Sequence, residues 1–321
     1  MGSHVARLCV EAGHEVVILD DLSGGFEENV PAGARFVRGS IEDDGLVDRL
    51  FTEHRFRFVF HLAAYAAEGL SHFIRRFNYR NNVVGSMNVI NAAVNAGTVE
   101  RFVFTSSIAV YGAAQTPMTE ATIPRPEDPY GVAKYAVEMD LEAAHRMFGL
   151  AYTIFRPHNV YGEHQNIGDR YRNVVGIFMN QVMQGRPMSV FGDGRQTRAF
   201  THIDDVAPIL LRSVHLAEAR NQVFNVGSET PRTVLEVAEA VAGAFGVSPA
   251  IVHLPPRQEV LHAFSDHQRA QAVFGVGAAI PLEEGVRRMA SWAKTHGPRR
   301  TRPFAGIEIS QGLPEAWREV M

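Results

Sequence analysis

The sequence predicts an α/β protein: a doubly wound parallel sheet followed by a smaller mixed C-terminal domain. Three observations lead there. Short apolar runs recur through the first half, helical patterns fall between them, and the texture changes after Tyr161. Strands covered by helices on both faces read as near-continuous apolar runs. Their alternation with helices builds a parallel, doubly wound sheet.

The elements follow in chain order. A helix is expected over 3–12, then a strand over 16–19 that closes at Asp20-Asp21. A helix over 45–54 precedes a strand over 56–64. A helix over 82–96 precedes a strand over 101–106. The next helix, 130–148, has a clear start, with Asp128 as N-cap and Pro129 at the first helical position. A strand over 152–156 follows. Residues 162–176 read as a polar loop. Beyond them come a helix over 177–184, a strand over 187–191, the turn Gly192-Asp193-Gly194, a strand over 222–227 and a helix over 233–245. The expected division is a Rossmann-type domain over 1–161, taking in the strand near 222–227, and an interleaved substrate domain over 162–321. The run Arg299-Arg300-Thr301-Arg302 reads as a solvated tail.

Composition narrows the classes of function. The 321 residues are 46% hydrophobic and 21% charged, as in an ordinary globular protein, and long enough for about two domains. A formal charge of −4 argues against a nucleic-acid surface. The one cysteine, Cys9, excludes an internal disulfide and fits a reducing compartment. With no stretch of roughly 18 apolar residues for a membrane span and no signal peptide pattern, the expected location is the cytoplasm.

Asp20 and Asp21 close the second strand of the expected sheet. An acid there can accept hydrogen bonds from an adenosine ribose, and it favours NAD over NADP by repelling a 2′-phosphate. The glycine-rich loop should stand ahead of Ser3, yet only Gly2 is present. The expectation is a misplaced start codon or truncated gene model, with a degenerate gene as the alternative. A 321-residue form that folds poorly or holds NAD weakly is expected to follow.

The chemistry lies in Thr105-Ser106-Ser107 and in Tyr130-Gly131-Val132-Ala133-Lys134. Tyr130 and Lys134 are four apart at a helix start, so they share a face. A tyrosine with a pKa of about 10 is a poor base at neutral pH. A nearby ammonium and a nicotinamide cation would favour the phenolate. Ser107 ends a parallel strand, where α/β sites form.

Several stretches together resemble one family: His61-Leu62-Ala63-Ala64, Asn81-Asn82-Val83, 105–112, 130–134, 156–162, Phe191-Gly192-Asp193-Gly194 and Arg198-Ala199-Phe200. With Asp20-Asp21-Leu22-Ser23-Gly24-Gly25, they resemble the extended short-chain dehydrogenase/reductases, specifically epimerases and dehydratases of the UDP-glucose 4-epimerase type. The resemblance runs from Gly2 to about Trp292. It implies reversible oxidation at C4 of a UDP-hexose. Tyr130 would take the 4-hydroxyl proton while C4 gives hydride to NAD, Ser107 would position O4, and Lys134 would hold the nicotinamide ribose. The 4-keto sugar would turn over, and hydride would return to its other face.

The resemblance also implies two binding sets. The cofactor would be held by Gly2, Asp20, Asp21, Ser40, Ile41, Leu62, Ala63, Ala64, Asn82 and Pro157, with Tyr130 and Lys134. The UDP-sugar would be held by Asn159, Asn173, Ser189, Phe191, Arg198, Arg257 and Glu259, with Ser107 and Tyr130. Ile108-Ala109 stands where the dehydratase pattern has Asp-Glu and where decarboxylases carry a glutamate in the second position. Neither residue can transfer a proton, so epimerisation survives best. Pro157-His158, Ser40 and Ala199 depart from the family pattern. Ala263 falls where a bulky residue restricts the sugar pocket in some relatives, which suggests tolerance of 2-acetamido sugars. A uronate 4-epimerase and an impaired NAD- or sugar-nucleotide-binding protein stay as alternatives. The resemblance further implies a homodimer paired through helices 82–96 and 130–148. His61, His202, His262 and His267 lack metal-site spacing, and packing or loop hydrogen bonds are expected for them; no metal is expected.

Overall fold

The structure, a computed structural model, describes residues 1–301 and 303–318. The first half runs α1 (Gly2–Glu11), β1 (Val17–Asp20), β2 (Arg35–Arg38), α2 (Asp44–His54), β3 (Phe58–His61), α3 (Glu68–Ser71), α4 (Arg75–Tyr79), α5 (Gly85–Ala96), β4 (Arg101–Thr105), α6 (Pro129–Phe148) and β5 (Tyr152–Pro157). Then come β6 (Val160–Tyr161), α7 (Val174–Met183), β7 (Met188–Phe191), β8 (Thr197–Ala199), β9 (Thr201–His202), α8 (Ala207–Ser213) and β10 (Gln222–Val226). The chain continues through β11 (Pro231–Thr233), α9 (Val234–Phe245), β12 (Ile251–Leu254), β13 (His262–Ala263), α10 (Gln268–Phe274), α11 (Leu282–His296) and α12 (Glu315–Arg318).

A four-stranded parallel sheet has the order β10-β5-β4-β3. Side chains alternate across it, as a pleated strand requires. Phe102, Phe104 and Ile154 pack on Val89, Ile90, Val137 and Leu141 of α5 and α6. Val103, Phe155 and Phe224 face the other way, onto Val5, Leu210 and Phe274 of α1, α8 and α10. A second core joins α7, α9 and α11 to β7 through Phe178, Val190, Val237, Val286 and Met289.

The parallel pair β1–β2 stands apart from this sheet. Among the described residues, β1 and β3 each have one strand partner. Val17, Ile18 and Leu19 of β1 and Phe58, Val59 and Phe60 of β3 line the same large cavity. The expected helices and strands form with small shifts at their ends. Seven short strands are absent from the expectation: β2, β6, β8, β9, β11, β12 and β13. Arg-Phe-Val-Arg of β2, for one, is short and half-buried, with charge at both ends.

The basic run is not a solvated tail. Arg299 stacks over Phe26 at 4.4 Å and pairs with Glu28, while its backbone bonds Asn180; Arg302 lies outside the described residues. The segment beyond it folds back over α3 and α4. The Glu308 carboxylate accepts from Arg76 N (2.9 Å) and Phe77 N (2.8 Å), capping α4.

α6 begins as its sequence demands. Asp128 Oδ1 accepts from Gly131 N at 2.9 Å, and Gly149 ends the helix at φ 77°. A Cβ on Gly131 would meet Ala109 O at 2.6 Å, so glycine lets the helix start press against the turn after β4. Further along, Glu138 binds Arg156 of β5 through two hydrogen bonds of 3.0 and 2.5 Å, both side chains buried. Arg156 also donates to Tyr111 Oη (2.8 Å), which donates to Asn225 Oδ1 of β10 (2.8 Å).

Breaking a buried ion pair from one side leaves an uncompensated charge. Glu138→Gln is therefore expected to lower the unfolding free energy by about 3–5 kcal/mol in a denaturant titration. A loss below about 1 kcal/mol, the range of exposed pairs, would show that the pair does not anchor the helix.

Candidate active site

β4 ends at Thr105, and Ser106-Ser107 project beyond the carboxyl edge of the sheet. Ser107 caps the short turn Ile108–Tyr111, its Oγ accepting from Ala109 N at 3.1 Å. Its own proton is left to donate to the Tyr130 oxygen, with which it hydrogen-bonds. Tyr130 is buried at the first turn of α6. Lys134 lies one turn on, buried, with Nζ donating to Thr105 O at 2.8 Å. That nitrogen sits 4.7 Å from the Phe104 ring centre and 5.9 Å from that of Tyr130. The three groups singled out from the sequence converge on one spot.

Burial dominates the electrostatics. Desolvation drives the Lys134 ammonium down to about 7, with the Glu138 carboxylate opposing. Burial holds the Tyr130 phenol above its ordinary value; the Ser107 hydrogen bond opposes this, and the Asp128 and Glu68 charges add to it. The ammonium by itself thus does not bring the phenol down. Lys134 is aimed at a carbonyl, and burial is the largest influence on the phenol. Asp128, behind Tyr130, is pushed up to about 7 by burial and by Glu68. His61 is driven down to about 3 by burial and by Lys134, and bonds Ser86 Oγ at 2.7 Å.

This cluster opens into a cavity of about 1010 Å³. On the cofactor side its wall includes Gly2, Asp20, Ile41, Leu62, Ala63, Ala64 and Pro157, with Tyr130 and Lys134. Asp20 Oδ1 accepts from Leu22 N at 2.7 Å, leaving its other oxygen for a ligand hydroxyl. Asp21, Ser40 and Asn82 lie off the wall. Asp21 accepts from Ser23 N (2.8 Å), Ser40 from Glu42 N (3.1 Å), and Asn82 holds the Tyr65 backbone through N (2.8 Å) and O (3.2 Å). Thr105 Oγ1 and Ser106 Oγ are buried on this wall without a protein partner. Buried polar atoms are normally satisfied, so these two hydroxyls, with the Asp20 carboxylate, fit a polar dinucleotide.

The far wall carries Asn159, Asn173, Ser189, Phe191, Arg198, Arg257 and Glu259. Asn159 holds φ 41° and donates to Ala199 O (3.3 Å). Asn173 caps α7, accepting from Val175 N (3.0 Å) and donating to Val160 O (3.0 Å). Ser189 bonds Gln181 through both backbone and hydroxyl. Arg198 and Arg257 meet on Glu259 at 3.4 and 3.1 Å. Arg257 also lies 4.7 Å over Phe191 and 5.6 Å over Trp317.

Three residues in or beside this site carried no motif. Glu68 and Arg172 line the cavity. Arg172 pairs with Asp169 (3.0 Å), stacks over Tyr65 (4.7 Å) and closes on Gly24, where a Cβ would fall 2.7 Å from its guanidinium. Trp317 arrives from the C-terminal segment. Ala263 is elsewhere: it packs with Ile108, Val110, Tyr111 and Met118, so its small size does not enlarge the sugar pocket. His158 donates to or accepts from His267 (2.9 Å) and bonds Ala199 O (3.0 Å); His202 meets Glu163 (3.2 Å) and His262 meets Thr197 (2.8 Å). Among the described residues, no three His, Cys, Asp or Glu side chains gather as metal ligands, and no helix is long and apolar enough to cross a membrane.

The family model for the NAD dependent epimerase/dehydratase family matches residues 1–227. A UDP-glucose 4-epimerase of Mycolicibacterium smegmatis is 33% identical over 296 residues, spanning 90% of this chain and 93% of that protein. The crystal structure of a UDP-glucose 4-epimerase with UDP-glucose from Thermotoga maritima superposes with a TM-score of 0.87, at 34% identity over 92% of this chain and 96% of that one. A Thermus thermophilus UDP-glucose 4-epimerase in complex with NAD gives 0.86, at 30% identity over 91% and 95%. The chain belongs to the NAD-dependent epimerase/dehydratase family, with NAD as the cofactor of its chemistry.

Proposed function

We propose that this protein interconverts UDP-glucose and UDP-galactose by epimerisation at C4. The carrying observation is the Ser107–Tyr130–Lys134 convergence at one end of the cavity, beside Ile108-Ala109, which supply no acid or base. Dehydration and decarboxylation each need a further proton-transfer group in that position; epimerisation does not. NAD, when bound, supplies the hydride acceptor and a positive ring close to the phenol.

The chain's own groups do the rest. Tyr130 takes the proton from the sugar 4-hydroxyl and returns it after turnover of the 4-keto sugar. Ser107 helps position O4, and its hydroxyl proton, when turned to Tyr130, stabilises charge on the phenol. Lys134 holds the nicotinamide ribose. Gly2, Asp20, Ile41, Leu62, Ala63, Ala64 and Pro157 frame the cofactor, with Asp20 on the adenosine ribose. Arg198 and Arg257 present guanidinium forks to the diphosphate. Glu259 holds the uridine ribose, Ser189 and Phe191 frame the uracil, and Asn159 and Asn173 flank the diphosphate and sugar. In this reading residues 1–161 with β10 carry the cofactor, and 162–321 the sugar nucleotide. We also infer a homodimer. Val84, Val132 and Met139 expose 52, 40 and 48% of their surface along the π turn before α5 and along α6, as a shared helix-pair interface would need.

Purified protein with NAD is expected to convert UDP-galactose to UDP-glucose. Tyr130→Phe should cut kcat by about 10²-fold or more; turnover at the wild-type rate would discard Tyr130 as the base.

Lys134 also makes stability depend on pH. Its pKa is about 7 when folded and near 10.5 when unfolded, so between those values the unfolded chain binds a proton that the fold does not. The burial penalty is full below about 7 and fades as pH rises to 10.5. Lys134→Met is therefore expected to stabilise the ligand-free protein by roughly 1 kcal/mol or more at neutral pH and below, and much less at high pH. Denaturant titrations at the two extremes check this, and equal effects would contradict it. Met139→Glu should shift the protein towards monomer in light scattering; an unchanged mass would remove that face from the interface.

A further inference from the structure

We propose that Glu68 makes the sugar end of the cavity selective for uncharged hexoses over hexuronates. Its carboxylate accepts hydrogen bonds from sugar hydroxyls and repels a carboxylate carried at C6. The inference rests on the nucleotide-sugar reading above and specifies which sugars it admits.

Glu68 opens α3, exposed into the cavity that holds Ser107 and Tyr130. Ser71 Oγ joins the Glu68 carbonyl (2.6 Å) to Asp128 Oδ1 (3.4 Å), two residues before Tyr130 on the same cavity, so Glu68 lies near the point where O4 must sit. In a hexose, C5 and C6 are one and two bonds from C4, so a C6 carboxylate falls within the same field.

The cations of this wall have other partners: Arg198 and Arg257 are the pair assigned above to the diphosphate, and Arg172 is held by Asp169 at 3.0 Å. Among the described residues Glu68 forms no ion pair. Lys134 sits behind the phenol, donating to Thr105 O. Asp128 is buried beside the Ser71 hydroxyl. Burial and the Glu68 charge push the Asp128 carboxyl up to about 7, opposed by the hydrogen bonds it accepts from Gly131 N and Ser71 Oγ. The site thus already resists a second negative charge beside Glu68, and a uronate would bring a third. Like charges set against each other at a desolvated contact suppress the wrong ligand, whereas a hydroxyl donating to an ionised carboxylate makes a strong hydrogen bond.

The test compares kcat/KM for UDP-galactose and UDP-galacturonate in the wild type and in Glu68→Gln, with NAD present. The wild type is expected to prefer UDP-galactose by about 100-fold or more. In Glu68→Gln, KM for UDP-galactose should rise and KM for UDP-galacturonate should fall, narrowing the preference at least about tenfold. Equal handling of the two sugars by the wild type, or an unchanged preference in Glu68→Gln, overturns the proposal. Calorimetric binding of UDP-glucose and UDP-glucuronate gives the same ranking without turnover. If neither sugar reacts but UDP-glucose binds more tightly, the epimerase reading falls and the selectivity of Glu68 stands.

Discussion

The structure depends first on the buried Arg156–Glu138 pair. It ties α6 to the central strand β5, and through Tyr111 and Asn225 it reaches the turn after β4 and the outer strand β10. Two desolvated charges are stable there because they pair through two hydrogen bonds and Arg156 is bonded further to Tyr111. This fixes the height of α6 on the sheet. Its first turn carries Tyr130, its second Lys134, and its third Glu138. Gly131 then sets how closely that first turn approaches Ser107.

Burial is also the common cause of the unusual protonation in the site. It lowers Lys134, raises Tyr130 and raises Asp128. A ligand-free site built in this way keeps the Tyr130 phenol protonated. Charge brought by a cofactor is what would favour the phenolate, so binding and base activation are coupled.

The cavity draws on distant parts of the chain. The cofactor wall comes from α1, β1 and β3, and the far wall from β5 through the loop at Arg257 to Glu259. The C-terminal segment closes it from outside, with Trp317 under Arg257 and Glu308 capping α4. Separation of β1–β2 from β3 lets the same cavity run between two strand edges.

By itself the sequence determined the longer elements of the first half and the candidate residues that the fold brings together. Apolar runs and helix caps such as Asp128-Pro129 are set by neighbours a few positions away, so they can be read along the chain. Ser107, Tyr130 and Lys134 were legible for the same reason, since their spacing follows the strand end and one helical turn. Tertiary structure decided what distance along the chain conceals. Glu68 and Arg172 belong to no motif, and only the fold turns them into one cavity. Asp21, Ser40 and Asn82 carry family positions, yet the fold places them off its wall. The Arg299 run looked solvated, and Phe26 and Glu28, far away in sequence, cover it. Burial, which sets the protonation of Tyr130, Lys134 and Asp128, is a property of packing in three dimensions, and no spacing of residues encodes its magnitude.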